Sequence, residues 1–345
     1  MVAKESGVSQ TLVSLVLSNA SPPERVAEET RKRILEAANK LGYAVKGSAK
    51  RKRTLALILP FVSREESLDP SIYEAIDDFY ARTQSFLSKA AYRKGYSLIV
   101  RHYEHPIELT HWLTEWMVDG VLWHATDKKL LDWIAQRFPT AQLHLADSTA
   151  PVDVATVNQE EIPLLALDYL HKRGHRRICF IPGVGWGKVS QIRATSFRER
   201  ASALGVAIFE QFMHESGIVS IWDVLNDCLR LLDLSEGERP TAFVVGDSIA
   251  LVLAREIQQR GYAIPGDVSL IGIDNLSAGA LYNPPLTSID VCQQEVCSTA
   301  VAMVVARIEN PELRYQKVYI SPSIVERNSV ADLTRQSAMA PVSVA

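Results

Sequence analysis

The stretch Ile264-Pro265-Gly266-Asp267-Val268-Ser269-Leu270-Ile271-Gly272-Ile273-Asp274-Asn275 contains a short apolar run that is followed directly by an acidic residue. The run, Ser269–Ile273, has the length and the aliphatic content of a buried strand. An amphipathic stretch at Ser248–Arg260 predicts a helix before it, and a further apolar run at Ala242–Val245 precedes that helix. The order strand, helix, strand is typical of parallel sheets that are covered by helices on both faces.

The same alternation begins at Thr54 and continues through the body of the chain. Further apolar runs predict strands at Thr54–Leu59, Ser97–Arg101, Gly120–Trp123, Thr140–Leu145 and Arg177–Ile181. Amphipathic stretches predict helices between them at Tyr80–Lys94, Pro163–Arg173, Ile192–Leu204 and Ile221–Leu232. This pattern predicts an α/β fold with two doubly wound parallel-sheet lobes and a cleft between them. Ligands of such sheets bind at the carboxyl ends of the strands.

The first residues predict a small all-α domain in front of this body. Gly7 suits a tight turn between two helices, and Ser9 is a good N-cap for the second of them. The buried stripe expected on that helix is Leu12, Val13, Val16 and Leu17. A third helix is expected from about Ala27 to Leu41. Such a helical domain is typical of helix-turn-helix proteins, whose second helix presents polar residues to base edges in the major groove.

The charge of the chain is divided unevenly between these two parts. The 345 residues carry a net charge of −3, with 47% hydrophobic and 22% charged residues, which is ordinary for a globular protein. Residues 1–53 hold 11 Lys and Arg against 5 Asp and Glu, whereas the remainder holds 26 against 35. A basic head on an acidic body indicates a nucleic-acid partner.

Several ordered motifs, spread over most of the chain, resemble the LacI/GalR family of transcription regulators. In the head these are Gly7-Val8-Ser9, Val13-Ser14 and Leu41-Gly42-Tyr43, and in the body they are Gly174-His175, Arg193 with Phe197-Arg198, Gly246-Asp247-Ser248, Ile264–Asn275 and Pro284–Ile289. The resemblance implies a helix-turn-helix head that binds operator DNA as a homodimer. It also implies an effector domain with the fold of periplasmic sugar-binding proteins.

The resemblance also implies domain boundaries. We expect a DNA-binding head at 1–45, with its first helix reduced to about Met1–Ser6, and a basic hinge linker at 46–53. The effector-binding and dimerisation domain is expected at 54–331, and a flexible tail at 332–345. Lobe one would comprise about 54–158 plus 290–318, and lobe two about 159–289 plus 319–331.

The family pattern assigns candidate site residues in both parts. Those expected to contact DNA are Ser9, Gln10, Thr11, Ser14, Asn19, Thr30, Lys50, Arg51 and Lys52. Arg193 and Asp274 are the implied contacts of a sugar-like effector, because a guanidinium supplies donors and a carboxylate supplies acceptors for a polyol. Asp247 lies at a strand end nearby, and the candidate stacking faces are Phe79, Tyr80 and Trp123.

Structural roles for three of these residues stay open at this point. Arg193 could pair with a surface acid, Asp274 could cap the next helix, and Trp123 could belong to the core. An alternative for the whole chain is a sugar-binding protein of the same fold that has lost DNA binding.

The sequence contains no motif typical of a nucleotide-binding site or of a metal site. Gly183–Lys188 departs from both phosphate-binding glycine patterns, and the nearby histidines His102, His105 and His111 form no known metal motif. We therefore expect no enzyme activity, no cofactor and no metal. No long apolar run and no secretory signal is visible, and the four cysteines are scattered, so we expect a cytoplasmic protein.

Overall fold

The computed structural model describes residues 2–17, 26–40, 53–60, 70–116, 118–125, 127–144, 150–183, 187–209 and 221–334. The head contains the helices α1 (Val2–Ser6), α2 (Gln10–Leu17) and α3 (Glu28–Lys40). Gly7 links the first two with φ +65°, and the Ser9 hydroxyl accepts from the backbone N–H of Leu12 at 3.2 Å. Ser9 is therefore the N-cap that the sequence predicts.

The three helices of the head enclose a small apolar core. Its buried members are Val2, Val13, Val16, Ile34, Ala37 and Ala38. Val13 and Val16 belong to the apolar stripe predicted on α2, and Ile34, Ala37 and Ala38 lie on α3. This shared core explains why these short helices pack at all.

The first lobe is a parallel sheet between layers of helices. Its elements in chain order are β1 (Thr54–Pro60), α4 (Pro70–Arg93), β2 (Ser97–Tyr103), α5 (Pro106–Trp116), β3 (Gly120–Trp123), α6 (Lys128–Ala135), β4 (Thr140–Leu143) and β5 (Asp153–Val157).

The second lobe repeats this arrangement. Its elements are α7 (Glu161–Lys172), β6 (Arg177–Phe180), α8 (Lys188–Leu204), β7 (Ala207–Ile208), α9 (Ile221–Leu231), β8 (Ala242–Gly246), α10 (Asp247–Gln259), β9 (Ser269–Ile273), α11 (Ser277–Leu281) and β10 (Thr287–Asp290). The chain then returns to the first lobe for α12 (Gln293–Glu309) and β11 (Lys317–Ile320), and ends in the second lobe with β12 (Ser323–Val325).

Each lobe is built on one sheet of six strands among the described residues. The strand orders are β11-β5-β4-β3-β1-β2 and β12-β10-β9-β8-β6-β7. All neighbours are parallel except β12, which runs antiparallel to β10. Both faces of each sheet carry a buried apolar cluster. The predicted α/β fold with two doubly wound lobes is thus confirmed.

The structure corrects two of the expected boundaries. The segment assigned to lobe one does not end at 318, because β11 continues to Ile320, which pairs with Val157 of β5. The tail does not begin at 332, because the backbone N–H of Leu333 donates to the carbonyl of Arg173 at 2.8 Å. Hydrogen bonding therefore fixes the chain against lobe two for at least one residue beyond that predicted boundary.

Candidate functional site

The carboxyl ends of the parallel strands bring polar side chains to the cleft between the lobes. His124 follows β3 directly, His144 follows β4, and Gln159 comes two residues after β5. From lobe two, Asp274 follows β9, the strand on which the fold prediction rested. In doubly wound sheets this edge is where ligands bind.

Helix α4 adds two aromatic rings to this edge, and helix α12 holds them in place. Gln293, at the start of α12, donates from Nε2 to the carbonyl oxygen of Phe79 at 2.9 Å and to Thr83 Oγ1 at 2.6 Å. The ring of Phe79 also packs against the apolar core of lobe two. Phe79 and its neighbour Tyr80 therefore stand where the two lobes meet.

Four rings form a compact cluster at this point. The ring centroids of Phe79 and Tyr80 lie 5.9 Å apart, and those of His124 and His144 lie 4.8 Å apart. The ring centroids of Tyr80 and His124 lie 5.3 Å apart, and those of Phe79 and His144 lie 5.5 Å apart. We call these four residues the ring cluster.

Both imidazoles of the ring cluster are buried and uncharged at neutral pH. Burial lowers the pKa of His124 to about 4. Burial also lowers the pKa of His144 well below its ordinary value, and the nearby His124 and Arg193 lower it further. Each neutral imidazole then offers one N–H donor and one lone pair.

Arg193 of α8 reaches the same place from lobe two. Its Nε donates to Gln159 Oε1 at 2.9 Å, and its Nη1 donates to the carbonyl oxygen of Pro182 at 3.1 Å. Gln159 in turn donates from Nε2 to the carbonyl oxygen of His144 at 3.4 Å. The pairing of Arg193 is thus with groups of the cleft rather than with a surface acid.

Asp274 lies in a strained turn opposite these groups. Its φ of 108° is unusual for a residue with a side chain. Burial raises the pKa of its carboxyl to about 6, and the positive charges of Arg193 and Arg82 oppose that rise. The following helix α11 has Leu276 as its N-cap and no side-chain cap, so Asp274 does not cap it.

The lobes are also joined directly at this turn. Arg82 of α4 donates from Nη1 to the carbonyl oxygen of Asn275 at 2.9 Å and, more weakly, to that of Asp274 at 3.4 Å. These bonds connect lobe one to the strand end that carries Asp274.

Two predicted effector contacts have a different setting. Trp123 is fully buried among apolar side chains of α5 and α6, and its indole stacks on Tyr103 with centroids 6.0 Å apart. Asp247 is also fully buried, and its two carboxyl oxygens accept from Ser288 Oγ and from the backbone N–H of Leu276, both at 2.6 Å. Trp123 is thus a core residue, and Asp247 acts on the cleft by positioning the turn after β9.

Sequence reasoning missed His124, His144, Gln159 and Arg82. A usable signal existed for the first two, because a histidine at the end of an apolar strand run lies at the ligand-binding edge of a parallel sheet. No local pattern marks Gln159 or Arg82, whose partners lie far away in the sequence.

The predicted DNA-contact residues of the head that the structure describes are exposed or partly exposed. Gln10, Thr11 and Ser14 are exposed along α2, Ser9 is exposed at its start, and Thr30 is partly exposed on α3. Asn19, Lys50, Arg51 and Lys52 lie outside the described residues.

Two further properties concern the described part of the chain alone. No group of three or more His, Cys, Asp or Glu there has the arrangement of a metal site. None of the helices there combines the length and the apolar character that a membrane crossing requires.

Comparison with solved structures gives neighbours with the same two-lobed fold. The cellobiose complex of the transcriptional regulator CelR has a TM-score of 0.67 at 22% identity, covering 95% of this chain and 98% of that chain. The lac repressor dimer bound to operator and the anti-inducer ONPF has a TM-score of 0.64 at 21% identity, covering 96% and 98%.

Sequence comparison gives the family. Residues 2–45 match the model of the bacterial regulatory proteins of the lacI family, and 167–330 match the periplasmic binding protein-like domain. The HTH-type transcriptional repressor PurR of Vibrio cholerae serotype O1 is 30% identical over 344 residues, covering 97% of this chain and 98% of the relative. PurR of Aliivibrio fischeri is 29% identical over 338 residues, covering 95% and 97%. The resemblance drawn from the motifs is thereby confirmed, and the chain belongs to the LacI family of bacterial regulatory proteins.

Proposed function

We propose that this protein is a cytoplasmic transcriptional repressor without enzyme activity. It binds operator DNA as a homodimer through α2, and a small sugar-like effector bound between the lobes controls it. The observation that carries the effector site is the chain of hydrogen bonds from Arg193 of lobe two through Gln159 to His144 of the ring cluster, with Asp274 in charge interaction with Arg193. A guanidinium, a carboxylate and aromatic faces together are what a polyol needs for binding.

Two solved structures of similar fold support a sugar-like effector. One solved structure, from Enterococcus faecium, is a LacI family regulator with bound ribose, and CelR is in complex with cellobiose. The lac repressor structure with operator supports the DNA partner and the dimer.

The lobes supply the means of control. Effector binding changes the balance between open and closed lobes, and this balance sets the separation of the two heads in a dimer. Couplings of this kind are typically about 1–3 kcal/mol, which is about a 5- to 150-fold change in operator affinity.

The first experiment is the selection of bound duplexes from a random pool by the full chain, followed by sequencing. Enrichment of a palindrome with two half-sites is the expected result, because a dimer reads two equivalent half-sites. No enrichment at low salt by a folded chain would contradict DNA binding and leave a protein that only binds an effector.

The second experiment uses the selected duplex and measures its affinity while ribose, glucose, galactose and cellobiose are titrated. Arg193→Met and Asp274→Asn should retain duplex affinity and lose the response. The matched control is Arg200→Met on the same helix, because Arg200 pairs with Asp168 at the surface of lobe two. An unchanged response in the Arg193 and Asp274 variants would contradict the assigned site.

A further inference from the structure

Two nitrogen atoms in the ring cluster are buried without a hydrogen-bond partner among the described residues. They are Nδ1 of His124 and Nε2 of His144. The two side chains are only 4% and 3% exposed. Buried polar atoms in proteins are nearly always bonded, and each exception calls for an explanation, such as a bound water or a functional role.

A third buried histidine in the same chain shows the ordinary arrangement. His175 is 1% exposed, and both of its ring nitrogens are bonded: Nδ1 to Thr241 Oγ1 at 2.9 Å and Nε2 to the carbonyl of Ala331 at 3.2 Å. Its bonds tie lobe two to the end of the described chain. His175 is thus a structural histidine, whereas His124 and His144 each retain unused bonding capacity at the ligand-binding edge.

The position of the pair excludes a purely apolar explanation. Each histidine stands directly after a strand, at the edge that faces Arg193, and an apolar ring would fill the same volume without leaving a polar atom unbonded. The rings of Phe79 and Tyr80 pack against these imidazoles, and Phe79 also packs on lobe two. A movement of Phe79 with the lobes would therefore change the packing around the histidine pair.

We propose that His124 and His144 are the specificity-determining contacts of lobe one, and that they bind an uncharged hydroxyl-bearing group of the effector. The proposal rests on the effector site proposed above and names the ligand class that this side of the cleft selects. A hydroxyl both donates and accepts, so it can bond to a neutral imidazole in either tautomer.

Charged groups suit the pair less well. A cationic group would face Arg193, whose positive charge already disfavours charge on His144. An anionic group such as a phosphate would be attracted by Arg193 but repelled by Asp274, and the two imidazoles, which burial keeps neutral, would add no positive charge to bind it. The ring cluster therefore favours neutral sugars over their phosphate esters.

The test combines stability with binding, using the full chain and the variants His124→Phe, His144→Phe and His175→Phe. Without effector, the first two should keep or raise the melting temperature, because His124 Nδ1 and His144 Nε2 have no hydrogen bond among the described residues to lose. His175→Phe should lower it, because two bonds are lost. If the first two lower it as much as His175→Phe, their nitrogens are bonded within the folded chain, and the proposal is wrong.

Binding is read from the effect of each ligand on duplex affinity, with ribose and glucose set against ribose 5-phosphate and glucose 6-phosphate. We expect a response to a neutral sugar and about a tenfold or greater loss of sugar affinity in both ring-cluster variants. Duplex affinity without sugar should be unchanged. His124→Gln, which keeps a donor and an acceptor, should restore part of the loss.

The remaining outcomes contradict the proposal in distinguishable ways. A preference for the phosphate esters would overturn the ligand class while leaving the effector site in place. If duplexes are bound but none of the four compounds acts, the neutral-sugar assignment fails while the DNA-binding function stands. Unchanged sugar affinity in both variants would remove the histidines from the site.

Discussion

At the scale of single residues, Asp247 shows how a buried carboxyl shapes the cleft without facing it. Its two oxygens hold Ser288 of β10 and the backbone of Leu276 after β9. A side chain at Gly272 would overlap Asp247 Oδ1, so glycine is required at that point of β9. Asp247 therefore fixes the turn that carries Asp274.

The ionisation of Asp247 gives a prediction at this scale. Burial raises its pKa to about 8, so the protonated form dominates in the folded chain at neutral pH. Because the unfolded pKa is lower, the folded state holds the proton more tightly, and stability is lost as the pH rises from the unfolded pKa to the folded one. The free energy of unfolding should therefore fall by about 1.4 kcal/mol per pH unit between about pH 4 and pH 8, relative to Asp247→Asn, and should not fall further above pH 8, where both states are ionised.

Urea denaturation of both proteins at pH 5, 6, 7 and 9 measures this difference. Asparagine has nearly the shape of the protonated acid and does not titrate, so the comparison isolates one carboxyl. A difference that stays constant from pH 5 to 7 would show that Asp247 is already ionised in this range.

At the scale of elements, helix α12 is joined to the first sheet by a buried ion pair. Arg307 donates from Nε to Asp153 Oδ2 at 2.7 Å and from Nη2 to Oδ1 at 2.9 Å, and the side chains are 6% and 3% exposed. Its Nη1 also donates to the carbonyl of Leu313 at 2.7 Å. The pair thus ties the returning segment of the chain to β5.

Breaking this pair should cost far more than breaking an exposed one. Arg307→Met leaves Asp153 buried and unpaired and should lower the free energy of unfolding by about 3–5 kcal/mol. Arg200→Met breaks the pair with Asp168, whose side chains are 41% and 34% exposed, and should cost little, because water screens an exposed pair. Urea denaturation compares the two, and equal losses would contradict the structural role of the buried pair.

Helix α2 carries the prediction for DNA recognition. Gln10→Ala and Thr11→Ala remove exposed polar groups near its N-terminus, and each should weaken binding of the selected duplex by about 1–3 kcal/mol. Effector affinity should not change, because the cleft lies in the other domain. Glu36→Ala, an exposed position on α3, is the control, and losses no larger than its own would contradict recognition by α2.

At the scale of the whole molecule, the two lobes are linked at a small number of polar contacts near the cleft. Arg82 bonds to the carbonyl of Asn275 across the lobes, and Arg193 bonds to Gln159, which lies where the chain first crosses from lobe one. Lobe opening must therefore change these bonds and the packing of Phe79.

Removing the Arg82 bond should shift the lobes towards the open arrangement. Arg82→Met keeps the length of the side chain and removes a charged hydrogen bond, which is about a tenfold shift in that equilibrium. Small-angle scattering of the ligand-free chain should show a larger radius of gyration. Arg173→Met is the control, because Arg173 pairs with Glu326 inside lobe two. Identical scattering for the Arg82 variant and the wild type would contradict this account.

The sequence by itself determined the elements and their order. The apolar runs Ser269–Ile273 and Gly120–Trp123 are the strands β9 and β3 with the same bounds, and Ser9 caps α2 as its position predicts. Local periodicity, capping and turn chemistry suffice for these features, because their partners lie within a few residues. The ordered motifs likewise sufficed for the family.

Only the tertiary structure decided which side chains reach the cleft. Trp123 and His124 are neighbours in the sequence, yet the first faces the helices of lobe one and the second joins the ring cluster. Arg82 meets the carbonyl of Asp274 across 192 positions of the chain. A local pattern cannot specify such pairs, because they depend on how two separately folded sheets are set against each other. The residues of the candidate site are therefore brought together by the way the two lobes are arranged. The strands and helices of each lobe, in contrast, follow from local patterns in the sequence.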